Sequence, residues 1–228
     1  MFDLTLSFDN GPDASVTPDV LAVLREHGVL STFFTVGQHL AAEGGLALAE
    51  GGLALAERAW RDGHWIGNHT WSHTVPLGQS GAADLVEREV VSTQNLLAPY
   101  AHPQRWFRPF GGGGNLDRRL LNEAVVHYLI ANRFSCVLWN AVPRDWADPD
   151  GWVETALEQC TQNPWTLMVL HDLPTGAMRH LPRFLRAAHD RGARFRQEFP
   201  PACVPLVAGR LAGDLDPYTT PAAIARDA

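Results

Sequence analysis

The chain has 228 residues, a length that a single barrel or other α/β domain commonly fills. Apolar residues make up 46% and charged residues 19%, which excludes a disordered chain and supplies a core. A formal charge of -7 with scattered basic residues gives no electrostatic reason to bind nucleic acid or an anionic membrane, and no apolar run approaches the ~20 residues that span a bilayer.

Met1 leads quickly into Asp3 and Asp9 instead of a basic start and an apolar stretch, so the expectation is a cytoplasmic protein without a secretory signal. Phe2 to Phe8 reads as a first strand, followed by a Gly-Pro-Asp turn and a helix announced by Thr17 and Pro18. Leu30 to Val36 is a second strand and Gln38 to Arg61 a helix. Within that helix Gly44 to Glu50 recurs letter for letter as Gly51 to Glu57; seven residues are close to two α-turns and preserve an apolar face, whereas two Gly pairs favour a loop. His64 to Gly67 is a short strand, Ala82 to Leu97 a helix, Arg105 to Phe110 a strand and Leu116 to Ala131 a helix.

Phe134 to Trp139 and Leu167 to His171 read as further strands, with helices at Gly151 to Cys160 and Arg179 to Arg191. The alternation of short β-rich runs with helical patterns predicts βα units around parallel strands in one domain over residues 1–228, the last part, 192–228, being an extension. Cys136, Cys160 and Cys203 are odd in number and widely spaced, and read as reduced core thiols.

Chemistry-bearing residues gather at the strand ends. Asp9-Asn10-Gly11-Pro12 ends the first strand; alone it is usually only a turn. His69-Thr70-Trp71-Ser72-His73 sets two imidazoles at i and i+4, which on a helical turn or a tight loop share one side and suit zinc, with cobalt and nickel as alternatives. Arg108 in Phe107-Arg108-Pro109-Phe110-Gly111 is a guanidinium able to orient a carboxylate, against the plainer reading of a surface arginine before a turn. Asp145-Trp146 and Val169-Leu170-His171-Asp172 complete the set, and five such sites at successive strand ends point to one pocket. The run Gly111 to Gly114 lacks a phosphate-loop pattern and reads as close backbone approach to substrate. Trp71, Trp106, Trp139 and Trp146 are candidate walls, with core packing the ordinary role of each.

This ordered set, over roughly Phe2 to Leu185, resembles the motifs of the polysaccharide deacetylases, a carbohydrate esterase family that includes nodulation-factor, chitin and peptidoglycan deacetylases. The resemblance implies a distorted (β/α)7 barrel. It implies Asp9 as catalytic base, His171 as general acid, Arg108 as the group orienting Asp9, and Asp145 as the tether of Arg108. It implies His69 and His73 as metal ligands with Asn10 as the third, where the family carries an aspartate. Phe110, Gly111, Trp71, Trp146 and Leu170 are the expected substrate contacts; Phe110 lacks a tyrosine hydroxyl, and Val169 stands where the family has a leucine.

The chemistry agrees with the name: water is a poor nucleophile and an amine a poor leaving group, so amide hydrolysis needs a base, an acid and a Lewis acid. The leading expectation is metal-assisted N-deacetylation of an N-acetylated sugar or similar small molecule. A neutral Asn10 weakens cation binding relative to an aspartate. Metal-free opening of a cyclic amide or ureide, and an inactive ligand-binding relative, therefore stay open.

Overall fold

The computed structural model describes residues 1–42 and 51–221. In chain order it contains β1 (Phe2–Asp9), α1 (Thr17–Glu26), β2 (Thr32–Thr35), α2 (Gly37–Leu40), α3 (Gly52–Arg61) and β3 (Trp65–Asn68). A π-helical turn (Glu87–Val91) leads into α4 (Ser92–Leu97), followed by β4 (Trp106–Phe107), β5 (Leu121–Asn122), α5 (Glu123–Ala131), β6 (Ser135–Cys136) and α6 (Trp152–Gln159). The last elements are β7 (Trp165–His171), α7 (Leu181–Asp190), β8 (Ala193–Arg196), β9 (Leu206–Val207), β10 (Arg210–Leu211) and β11 (Thr219–Thr220).

The main sheet runs β10-β9-β6-β4-β3-β2-β1-β7, parallel except at β9, which is antiparallel to both neighbours. On the β2 side, β1 pairs with β2 along Ser7 to Asp9 and with β8 along Phe2 to Thr5. After β6 the chain crosses to β7, where Ala141 bridges Met168 and exchanges backbone bonds with Leu167 and Val169. That bridge curls the sheet back on itself as a distorted barrel of the (β/α)7 type.

Strand period decides what faces the barrel interior. In β1, Leu4, Leu6 and Phe8 join the core shared with Leu21 and Leu24 of α1 and Phe184 of α7. Ser7 and Asp9 point the other way. A second cluster, including Phe34, Trp106, Val137, Leu167 and Phe199, plugs the interior beneath them. Among the described residues no helix is long and apolar enough to cross a membrane.

Several expected elements shrink for identifiable reasons. The Arg105 to Phe110 strand is only Trp106–Phe107: the Arg108 amide makes the last ladder bond, to Asn68 of β3, and Pro109 has no amide with which to continue it. The Leu116 to Ala131 helix starts only at Glu123, because Asn122 caps it by accepting from the Val125 amide and Leu121–Asn122 pair with β11. Beyond β6, Val137 and Leu138 donate to Phe107 and Cys203, two different partners, in place of one ladder. The Gln38 to Arg61 helix is represented by α2 and α3; the first heptapeptide copy lies outside the described residues, apart from which the second enters α3. Short strands β8 to β11 were not expected at all.

Candidate active site

Asp9 ends β1 almost fully buried, and its charge is matched by Arg108, which leaves β4 on the same interior face. Arg108 is completely buried: its Nη1 donates to Asp9 Oδ1 and to Ser7 Oγ, each at 2.7 Å, while Nε and Nη2 donate to the Val137 and Leu138 carbonyls at 3.3 Å. The guanidinium also stacks 4.0 Å over Phe34. With its donors so occupied, Arg108 holds Asp9 in one orientation and leaves Asp9 Oδ2 toward the cleft.

The backbone then turns sharply. Asn10 sits in the left-handed region at φ 77°, and its carbonyl accepts from His39 Nδ1 at 2.5 Å. Gly11 follows because a Cβ there would lie 2.1 Å from Asp172 Oδ2. Asp172 is buried, accepting from Gly11 N at 3.1 Å and Thr17 Oγ1 at 2.5 Å; burial nevertheless outweighs both bonds and pushes its carboxyl up to about 7. Thr17, expected as a helix cap, is instead the first residue of α1, after Val16 at the cap position, and its hydroxyl secures the end of β7.

His69 and His73 lie on a loop, not a helical turn, with Thr70 at φ 66° and His73 at φ 51°. Their ring centroids are 4.7 Å apart. His69 Nδ1–H donates to the Arg108 carbonyl at 2.8 Å, so its Nε2 lone pair faces Asp9 Oδ2 at 3.6 Å. Desolvation lowers His69 to about 3 and His73 to about 2, the latter helped by His69 itself, so both rings are neutral and able to donate lone pairs. Asn10 Oδ1 is buried beside the same cleft without a hydrogen-bond partner. Two neutral imidazoles and an orphaned amide oxygen fit a divalent cation with no anionic ligand among the three. No group of three His, Cys, Asp or Glu able to hold a metal occurs among the described residues.

Asp145 corrects one expectation: it does not tether Arg108. Its Oδ1 meets His171 Nδ1 at 2.8 Å and its Oδ2 accepts the His171 amide at 2.9 Å, while the Arg108 donors end on Asp9, Ser7 and two carbonyls. Burial pulls the His171 pKa down, but the Asp145 hydrogen bond and charge, with Asp9 and Asp172 nearby, win and raise it. Trp146 packs edge-on against the ring at 4.6 Å.

Asp9, Asn10, His69, His73 and His171 line one cleft of about 240 Å³, walled by Phe110, Gly111, Trp139, Trp146, Val169 and Leu173. Gly111 is required by Trp139, whose ring would sit 2.6 Å from a Cβ there, and Trp139 Nε1 donates to the Gly114 carbonyl at 3.1 Å. Two expected substrate contacts are corrected. Leu170 faces the helices, because His171 and Val169 take the inward positions of β7. Trp71 packs against Gly37, outside the cleft lining. Trp106 likewise packs below, against Trp65 and Phe199. Ser7 and Leu173 were missed; Ser7 was legible as the same-face neighbour two residues before Asp9, whereas Leu173 carried no signal.

Comparison with known proteins agrees with this geometry. Residues 3–128 match the family model described as polysaccharide deacetylase. A chitooligosaccharide deacetylase of Azorhizobium caulinodans is 33% identical over 172 residues, 73% of this chain and 72% of that protein. A peptidoglycan-N-acetylglucosamine deacetylase of Bacillus cereus is 28% identical over 173 residues, 74% and 72% of the two chains. In fold, a family 4 carbohydrate esterase from Streptomyces lividans in complex with acetate superposes with a TM-score of 0.68 at 24% identity, covering 89% of this chain and 96% of that one. The chain belongs to the polysaccharide deacetylase family and is a hydrolase of carbon–nitrogen bonds other than peptide bonds.

Proposed function

We propose that this chain removes acetyl groups from N-acetylglucosamine-type sugars by metal-assisted hydrolysis of the amide. The observation that carries the reading is one cleft holding a base and an acid, each with its own buried partner: Asp9 on Arg108 and His171 on Asp145. The substrate class follows the relatives, named for chitooligosaccharides and for peptidoglycan N-acetylglucosamine. The Trp139, Trp146 and Leu173 walls offer apolar surface to an acetyl methyl and a sugar face.

Asp9 Oδ2, the oxygen not bound by Arg108, takes the proton of the attacking water. His171, its Nδ1 fixed on Asp145, keeps Nε2 for the leaving nitrogen, and its raised pKa favours the protonated ring that this donation needs. Water oxygen bonds to the carbonyl carbon, the C–N bond breaks, and acetate and a free amine result. His69, His73 and Asn10 would hold a divalent cation, zinc by the preference of imidazole donors with cobalt or nickel as alternatives, which when bound supplies Lewis acidity toward the amide carbonyl.

The test is simultaneous measurement of acetate and amine from N-acetylated chitooligosaccharides, with cyclic ureides in parallel. Equimolar acetate and amine are expected, and Asp9→Asn or His171→Ala should each lower kcat by at least about 100-fold. Turnover of ureides alone, or acetate release indifferent to both substitutions, would contradict the proposal.

A further inference from the structure

The loop carrying His69 and His73 has no helical bonds of its own, and two of its residues occupy the left-handed region. Its carbonyls are satisfied on one side, where Gly37 N at the start of α2 donates to Thr70 at 2.9 Å and Gln38 N donates to Trp71 at 3.0 Å. Two of its amides, those of Trp71 and Ser72, are satisfied on the other by one buried carboxylate. Glu89 Oε2 accepts from Trp71 N at 3.2 Å and Ser72 N at 2.9 Å, and Ser72 Oγ donates to Oε1 at 3.0 Å. Arg88 Nε reaches the same Oε1 at 3.3 Å.

Glu89 lies within the π-helical turn. That turn is also tied to the start of the loop: Asn68 Nδ2 donates to the Val90 carbonyl at 2.9 Å, and Asn68 Oδ1 accepts from Thr70 N at 3.0 Å. π-turns inside helices recur at functional sites because they re-aim a side chain. A buried charge is costly unless hydrogen-bonded, so an ordinary packing role is a poor explanation for a carboxylate here.

We infer that Glu89 is a positioning residue for the imidazole pair: by gathering the Trp71 and Ser72 amides it fixes where His73 sits relative to His69. The inference rests on the reading that these rings hold a divalent cation. A glutamine keeps one acceptor oxygen for the two amides but turns a donor toward Ser72 and Arg88; an aspartate withdraws the carboxylate by one methylene.

Calorimetric titration of chelator-treated protein with cobalt, together with the visible absorption of the bound ion, tests this apart from turnover. Native protein should bind one cobalt per chain. Glu89→Asp should weaken binding at least tenfold and alter the spectrum, with Glu89→Gln in between. Ser72→Ala, which threatens the fold least, should weaken binding about threefold and serves if the Glu89 variants do not fold. Native-like affinity and spectrum in the folded variants would overturn the role of Glu89 while leaving the metal reading intact. No cobalt binding by native protein would overturn both.

Discussion

Asn10 is the proposed third metal ligand, and its role rests on a single atom. Its Oδ1 is buried and unpartnered, and aspartate at this position would set an anionic oxygen beside the imidazoles. Asn10→Asp should therefore tighten zinc or cobalt binding by at least about tenfold in calorimetry, because the ion exchanges a neutral donor for a charged one. Equal affinity in the two proteins would reject Asn10 as a ligand. His171 supplies a second test. Its pKa is raised in the folded protein, against burial and chiefly by Asp145, and as the proposed general acid it must be protonated to act. Activity is accordingly present below that raised pKa and falls as pH climbs through it. Asp145→Asn removes the raising contact, so the alkaline limb of kcat/KM should move to lower pH; an unmoved limb would assign it to another group. Asp9, Arg108, His69 and His171 were legible as a converging set because each stands at or just beyond a strand end, with His73 four residues along the loop from His69, in a pattern that resembles a family. Asp145's partner was not, since sequence order leaves open whether a carboxylate reaches an arginine or a histidine from a third strand.

At the scale of elements, the long strands β1 and β7 read clearly, β1 because eight residues reveal an alternating period and β7 because Leu167 to Leu170 is a continuous apolar run of buried-strand length. The strands expected at Arg105 to Phe110 and Phe134 to Trp139 are present only as the two-residue β4 and β6, and the equally short β9 was not expected, because two residues show no period and owe their pairing to neighbours far along the chain. The π-turn was equally invisible: its defining bond is a shift of one residue in a helical sequence, and its partners, Asn68 and Ser72, come from β3 and the loop that follows it. Leu170 illustrates the same limit, since its strand was identified but its face was not. The junction of β1 and β7 makes a sharp prediction. Gly11→Ala drives a methyl into Asp172 and breaks the bonds that carboxylate receives from Gly11 and Thr17. Urea unfolding should show a loss of about 2 kcal/mol or more, with acetate release falling as Asp9 and Asn10 shift. Native stability would mean that the loop yields without cost.

For the whole molecule, the barrel divides into a plugged lower interior of Phe34, Trp106, Val137, Leu167 and Phe199 and an open upper cleft where charge is admitted only in bonded pairs. The alternation of strand and helix, together with the resemblance, made that architecture legible; the closure through Ala141 and Met168 was not, because it is a single bridge outside any regular strand. The most direct measurement of the central claim is acetate release from a chitooligosaccharide by chelator-treated protein as zinc is returned, with His73→Ala alongside. The account predicts negligible release without metal, saturation near one zinc per chain, and little recovery in His73→Ala at the same zinc concentration. Full turnover by the metal-free protein, unaltered by added zinc and by loss of His73, would contradict it.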